Sequence, residues 1–127
     1  MQEKNLFDYA VIRVIPRVER EEFINVGVIV FCKAEQFLKV SYVLDSERLL
    51  AFSPQLDIDV VKENLKAMEQ ICMGSKEGGT IGALDIASRF RWLTATRSTV
   101  LQTSKVHPGY TANAADTLEK LFVQLVV

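Results

Sequence analysis

The feature that most constrains the fold is a pair of apolar, β-branched runs joined by a short charged connection. The first run spans residues 7–16, ending at Pro16, and the second spans residues 25–32. Such residues favour strands, and apolar side chains on both alternating faces of the first run are typical of a central strand covered on both sides. A parallel pair would need a crossover of a dozen or more residues, so the short connection predicts two adjacent antiparallel strands.

Two further segments extend this hairpin into a sheet. Residues 37–44 alternate between apolar and polar side chains and predict a third strand, and residues 97–103 predict a fourth. Gly27 lies inside the second strand, where glycine marks a bulge, a close approach of another group, or a vacant position covered by a neighbouring aromatic side chain.

Helical periodicity dominates the rest of the chain. Apolar residues recur at steps of three and four on one stripe, which predicts an amphipathic helix that ends at the glycine cap Gly74; they are Ile58, Val61, Leu65, Met68 and Cys72. Residues 81–93 predict another helix, residues 106–110 a turn, and the residues after the capping Asn113 a final helix. The predicted fold class is α+β, with an antiparallel sheet of about four strands and helices packed over it, in a single domain spanning residues 1–127.

Composition excludes several classes of function. The formal net charge of −1 argues against a strongly basic nucleic-acid binder. Cys32 and Cys72 lack a metal-ligand spacing and are expected to be reduced core thiols, and no Rossmann or Walker motif is present, so we predict neither a metal nor a cofactor. The amino terminus lacks the features of a signal peptide and no run is long enough to span a bilayer, so we expect a cytoplasmic protein that has no membrane partner.

One stretch concentrates groups suited to ligand binding. Residues 89–102 contain three arginines, the only tryptophan and four hydroxyl side chains, and no carboxylate lies between Asp85 and Asp116. Arginine presents a planar fork of donors that matches carboxylates and phosphates, and Trp92 offers a flat face for stacking. The alternative is structural: Phe90, Trp92 and Leu93 belong to the core, and the arginines pair with acids from elsewhere in the fold.

Arginine also interrupts the first strand. Arg13 shares a face with Tyr9 and Val11, so its guanidinium must either reach a cleft or find an internal partner. The segments around it and around the basic stretch, residues 9–28 and 89–94 with 97–99 and 106–107 behind them, resemble a bacterial domain-of-unknown-function family numbered 3037 over nearly the whole chain. The resemblance implies little about activity, because that family is uncharacterised. Some of its members are encoded near kinase-like proteins of the HipA type, which implies a kinase-like protein partner.

The function that the sequence favours is a binding or protein-interaction domain with an arginine-rich site for an anion such as a phosphate, a nucleotide or a nucleic acid. The predicted ligand-binding residues are Arg13, Arg17, Arg89, Arg91, Trp92, Arg97, Thr99 and His107. The alternative is a small hydrolase or nuclease-like enzyme that uses His107 with a glutamate. A catalytic histidine needs an orienting carboxylate and a nucleophile or substrate proton within reach, and the sequence identifies neither. The chain has two arginine-rich segments, one with Arg13 and Arg17 and one that spans residues 89–102. The sequence leaves open whether these two segments meet in space.

Overall fold

The protein is built on one antiparallel sheet with a long central strand. The computed structural model describes residues 4–95 and 99–127. Strand β1 (Asn5–Val14) pairs with β2 (Ile24–Cys32), which in turn pairs with β3 (Phe37–Tyr42). On its other side β1 pairs with β4 (Leu101–Thr103) and with β5 (His107–Thr111), which lie one after the other along it. The predicted antiparallel pairing of the first two strands is confirmed.

Helices cover both faces of this sheet. The helices of the described chain are α1 (Ser46–Phe52), α2 (Ile58–Met73), α3 (Gly79–Gly82), α4 (Ile86–Leu93) and α5 (Ala114–Leu125), with short 3₁₀ turns at Val18–Arg20 and Lys76–Gly78. On one face, Ile12 and Ile29 pack in a core with side chains of α1, α2 and α4. On the other face, Val28 and Val30 pack against α5 through Leu118. The α+β fold class is therefore confirmed.

Gly27 lies at a bulge in β2. Ile12 is paired with Gly27, whereas the next residue, Arg13, is paired with Asn25, so β2 has one residue more than β1 at this point. A Cβ atom at Gly27 would lie 2.9 Å from the Cβ atom of Tyr42 on β3, which leaves no room for a side chain. Of the alternatives that the sequence left open at this glycine, the structure shows the bulge and the close approach, the latter by the backbone of Ser41 and the Cβ atom of Tyr42. Bulges redirect side chains, and this one places Asn25 beside Arg13.

The turn predicted over residues 106–110 is wrong, because His107–Thr111 is strand β5. β4 pairs only with residues 12–14 of β1. β5 pairs with residues 5–9 of β1, which β4 does not reach, and so provides backbone hydrogen-bond partners for that half of the strand. Pro108 is tolerated because β5 lies at the sheet edge, where a missing N–H costs little. A Cβ atom at Gly109 would lie 2.7 Å from the Phe7 ring, so this glycine provides space for an aromatic side chain and does not form a turn.

The remaining local predictions are largely confirmed. Gly74 ends α2 in the left-handed conformation with φ 67°, and the Asn113 side chain accepts a hydrogen bond from Asp116 N at 3.1 Å. The helix predicted over residues 81–93 is interrupted, because α4 begins anew after its N-cap Asp85. Of the predicted fourth strand, only Leu101–Thr103 is β-structure, and residues 97 and 98 lie outside the described chain.

Two findings concern the whole described chain. Cys32 and Cys72 are both buried and free, as predicted for core thiols. Among the helices of residues 4–95 and 99–127, none combines the length and the apolar character that crossing a membrane requires.

Candidate functional site around Arg13

The end of the second arginine-rich segment, residues 100–102, pairs with the segment around Arg13 at one end of the sheet. Arg13 is the register partner of Gln102, and Val14 is the partner of Leu101. One residue further, Ile15 N donates a hydrogen bond to Val100 O at 2.7 Å. The pairing of β1 with β4 therefore brings the segment around residue 13 against the segment that follows α4.

Three polar side chains form a row across neighbouring strands at this end. Asn25 on β2, Arg13 on β1 and Gln102 on β4 are register partners. Directly opposed residues have Cβ atoms about 5 Å apart on the same face of a sheet, so the three side chains lie next to one another. We refer to Asn25, Arg13 and Gln102 as the polar row. By strand alternation it lies on the face that α5 covers in part.

The polar row is anchored at both ends. Asn25 Nδ2 donates to the carbonyl oxygen of Leu125 at the end of α5, at 3.1 Å. Gln102 Nε2 donates to the carbonyl oxygen of Thr99 at 2.8 Å. These two hydrogen bonds use one side of each carboxamide and hold both side chains in position beside Arg13.

The Arg13 guanidinium is half-buried and has no acceptor within the described chain. Its central carbon lies 4.1 Å from the centre of the Phe23 ring, a cation–π contact that holds the guanidinium in position. Its Nε is buried without a hydrogen-bond partner, as is Asn25 Oδ1. The terminal nitrogens also make no hydrogen bond to described residues but are not among the buried atoms, so they reach solvent. Arg13 is therefore a cation held in position by Phe23, and its terminal N–H groups are free to donate hydrogen bonds to a ligand.

Arg89, in contrast, uses its donors inside the fold. Its Nη1 donates to the carbonyl oxygens of Ile71 and Cys72, each at 2.9 Å, and its Nε donates to Leu84 O at 3.0 Å. A cation at the C-terminus of α2 satisfies carbonyl groups that have no partner within the helix and interacts favourably with the helix dipole. A Cβ atom at Gly74 would lie 2.9 Å from Arg89 Nη1, so this glycine also makes room for the guanidinium.

Of the other predicted residues, Thr99 contacts the polar row through its carbonyl oxygen, which accepts from Gln102, whereas the described hydrogen bond of the Arg91 side chain stays within α4. Arg91 is exposed and its Nη2 donates to Ser88 Oγ at 3.0 Å. Hydrogen bonds from Ser88 lower the pKa of Asp85, with a smaller contribution from the charge of Arg91. Trp92 and Thr99 line a separate cleft of about 220 Å³ between α2 and β4. Arg97 lies outside the described residues.

No described contact joins Arg17 or His107 to the polar row. Arg17 is exposed and lines a cavity of about 400 Å³ beside Arg20 and Glu22, which form an ion pair with each other. His107 is half-buried on β5, and its ring centre lies 5.2 Å from that of Tyr9, its register partner. Tyr9 precedes Arg13 by four residues, so His107 shares the face of Arg13 but lies about 13 Å along the strand, at ~3.3 Å per residue.

Acid–base or metal chemistry requires suitable partner groups around a histidine such as His107. Within residues 4–95 and 99–127, no carboxylate lies within 4 Å of the imidazole. The same residues contain no group of three histidine, cysteine, aspartate or glutamate side chains placed to hold a metal ion.

Sequence reasoning missed Phe23, Asn25 and Gln102. Phe23 precedes β2 in a charged connection that gives no sign of a stacking role. Asn25 and Gln102 become neighbours of Arg13 only in the observed register, and the bulge at Gly27 determines that register on the β2 side. A polar residue at the start of a predicted apolar strand was the one signal available for Asn25.

Comparison with known proteins identifies a family but no activity. A family model described as "Protein of unknown function (DUF3037)" matches residues 9–126, which include both arginine-rich segments and the polar row. No curated protein matches the chain, and no solved structure matches it. The match covers nearly the whole chain, and the protein therefore belongs to the DUF3037 family.

Proposed function

We propose that this protein is a binding domain that takes up one anionic group of its ligand at Arg13. The observation that supports this proposal is the half-buried guanidinium, stacked on Phe23, that has neither an ion pair nor a hydrogen-bond acceptor in the described chain. Such a cation has lost part of its hydration without gaining a partner, and an anion supplies that partner. Arg89 gives the contrast, because three carbonyl oxygens already accept its hydrogen bonds.

The chemistry of the site favours a phosphate or carboxylate group. The guanidinium fork forms two parallel hydrogen bonds to either group, and a fork that is already held by stacking loses little side-chain entropy when it binds. Each hydrogen bond to a charged group contributes about 1.5–3 kcal/mol. The neutral carboxamides of Asn25 and Gln102 flank the fork and add no charge that would repel an anion.

The number of cations favours a single anionic group over a polyanion. Arg13 is the one charged member of the polar row, and the formal net charge of the chain is −1. Binding along a nucleic acid depends on several phosphate contacts at once, each of which steepens the loss of affinity with salt. A ligand with one phosphate or carboxylate, on a small molecule or on a protein partner, agrees better with this arrangement.

A titration of the purified protein with inorganic phosphate and with acetate tests the proposal. Heat of binding or amide chemical shifts should show saturable binding to the wild type, with the largest shifts at the polar row. Arg13→Gln should weaken phosphate binding about 10-fold or more, the factor that corresponds to about 1.4 kcal/mol or more. Arg13→Lys should recover part of the affinity, since it keeps the charge but loses the planar fork.

The matched controls are two exposed arginines on other elements, Arg48 on α1 and Arg91 on α4. Arg48→Gln and Arg91→Gln should bind phosphate as the wild type does. Equal binding by Arg13→Gln and the wild type, together with a loss in Arg91→Gln, would move the anion site to α4 and refute the assignment to Arg13.

A further inference from the structure

We infer that the cleft between α2 and β4 is a second binding site, which takes one planar heteroaromatic ring. We refer to it as the Trp92 cleft, and the residues that decide its chemistry are Asn64, Met68, Ile71, Trp92, Leu101 and Thr103. This site does not depend on the proposed role of Arg13. It lies on the sheet face that carries α2, whereas Arg13 faces the side of α5.

The volume of the cleft limits the size of the ligand. At about 220 Å³ it is smaller than the roughly 300–1,000 Å³ that is usual for sites that enclose a drug-sized molecule. The cleft therefore accepts one ring or one side chain, while the rest of any larger ligand stays outside it.

The floor and one wall of the cleft suit the faces of a ring. Met68, Ile71 and Leu101 are buried members of the main core and present apolar atoms to the bottom of the cleft. Trp92 forms a wall and is 39% exposed, whereas Phe90 and Leu93 of the same helix are buried. Aromatic rings pack favourably against such a surface in offset or edge-to-face arrangements.

The rim of the cleft is polar and requires a ligand with hydrogen-bonding groups. The Asn64 carboxamide and the Thr103 hydroxyl line the cleft and make no hydrogen bond to described residues. A pure hydrocarbon would remove water from these groups without replacing its hydrogen bonds, whereas a ring with donors and acceptors on its edge replaces them.

The single tryptophan of the chain provides a direct reporter of occupancy. The protein shows one indole N–H cross-peak in a proton–nitrogen spectrum, and it belongs to a wall of the cleft. Titration with adenine or nicotinamide should shift this peak in a saturable way. Benzene, which has the same flat shape without polar edge groups, should bind at least 10-fold more weakly.

Two variants test the location of the ring. Ala67 is exposed on α2 and lines the cleft, so Ala67→Leu should fill it and weaken adenine binding at least 10-fold. Ala115→Leu is the matched control, because Ala115 is an exposed helical alanine on α5, outside the residues that line the cleft. It should bind adenine as the wild type does.

Thr103→Val tests the role of the rim, since it exchanges a hydroxyl for a methyl group of similar size. It should weaken adenine binding and strengthen benzene binding. The inference is overturned if neither adenine nor nicotinamide shifts the indole peak at millimolar concentration, if benzene binds as well as adenine, or if Ala67→Leu binds adenine like the wild type. Binding of benzene alone would instead indicate that the cleft receives an apolar side chain of a protein partner.

Discussion

At the scale of single residues, two arginines of the same chain have opposite roles. Arg89 donates to two carbonyl oxygens at the end of α2 and to Leu84 O before α4. Arg13, by contrast, stacks on Phe23 and has no acceptor in the described chain. Composition and spacing group both residues with the other arginines. Their roles differ because Arg89 lies beside the end of a helix and Arg13 lies at a particular register position in the sheet. Neither of these tertiary positions can be predicted from the residues next to each arginine in the sequence.

The role of Arg89 leads to a stability prediction. Arg89→Met keeps much of the side-chain volume but leaves the carbonyl oxygens at the end of α2 without their charged donor. We expect the free energy of unfolding to fall by about 1.5–3 kcal/mol, measured by urea denaturation. Arg91 lies two positions after Arg89 in α4 and is exposed. Arg91→Met should therefore change the free energy of unfolding by less than about 0.5 kcal/mol. Equal losses in the two variants would show that Arg89 does not cap α2.

Cys72 leads to a prediction about alkaline pH. Burial raises the pKa of its thiol to about 12, an effect that the nearby Arg89 charge opposes in part. The unfolded chain has an ordinary cysteine pKa of about 8.5, so the folded protein holds the proton more tightly, and unfolding in alkaline solution releases it. The resulting stabilisation is complete below about pH 8.5 and is lost as pH rises toward 12.

The measurement compares the wild type with Cys72→Ala. Their difference in unfolding free energy should shrink between about pH 8 and pH 10, because only the wild type loses the contribution of the buried thiol. A difference that stays constant over this range would mean that the thiol ionises equally easily in the folded and unfolded states.

At the scale of elements, the junction between β4 and β5 shows how a side chain continues a strand ladder. Thr103 pairs with Ile12, and His107 pairs with Tyr9. Three residues lie between Thr103 and His107 but only two between Tyr9 and Ile12, so the connection from β4 to β5 has one residue more than the matching part of β1. Ser104 bridges the irregularity: its N donates to Val11 O at 2.8 Å, and its Oγ accepts from Val11 N at 2.9 Å. The buried Val11 amide therefore has a partner despite the extra residue.

Ser104→Ala should remove that partner and leave a buried N–H unsatisfied, at a cost of about 1–3 kcal/mol in unfolding free energy. Hydrogen exchange at the Val11 amide should become faster in this variant. Ser41→Ala is the matched control, a half-buried serine on β3 whose hydroxyl makes no hydrogen bond to described residues. If Val11 exchanges at the wild-type rate in Ser104→Ala, the hydroxyl does not support the ladder.

The elements differ in how well local patterns predict them. The first three strands and the apolar stripe of α2 were predictable, because alternation and helical periodicity are recorded in consecutive side chains. The caps Gly74 and Asn113 were predictable for the same reason. β5 was not, because Pro108 and Gly109 are typical turn residues, and their role as strand residues depends on β1 and on the Phe7 ring.

At the scale of the whole molecule, the sheet separates two surfaces with different chemistry. The α5 side carries the polar row at the end where residues 100–102 pair with the segment around Arg13, and the α2 side carries the main core and the Trp92 cleft. The fold class followed from the order of the predicted strands and helices, and the antiparallel pairing of the first two strands followed from their short connection. The site did not, because Asn25, Arg13 and Gln102 come from three strands and are aligned only after the bulge at Gly27 has set the register.

The central claim is that Arg13 binds an external anion and is not a structural cation. Thermal unfolding of the wild type and of Arg13→Gln, each with and without inorganic phosphate, tests it most directly. We expect the two proteins to have nearly the same Tm without phosphate, since no described acceptor depends on Arg13, and we expect phosphate to raise the Tm of the wild type alone. A sharp fall in the Tm of Arg13→Gln without phosphate, combined with no protection of the wild type by phosphate, would contradict the claim and make Arg13 part of the fold.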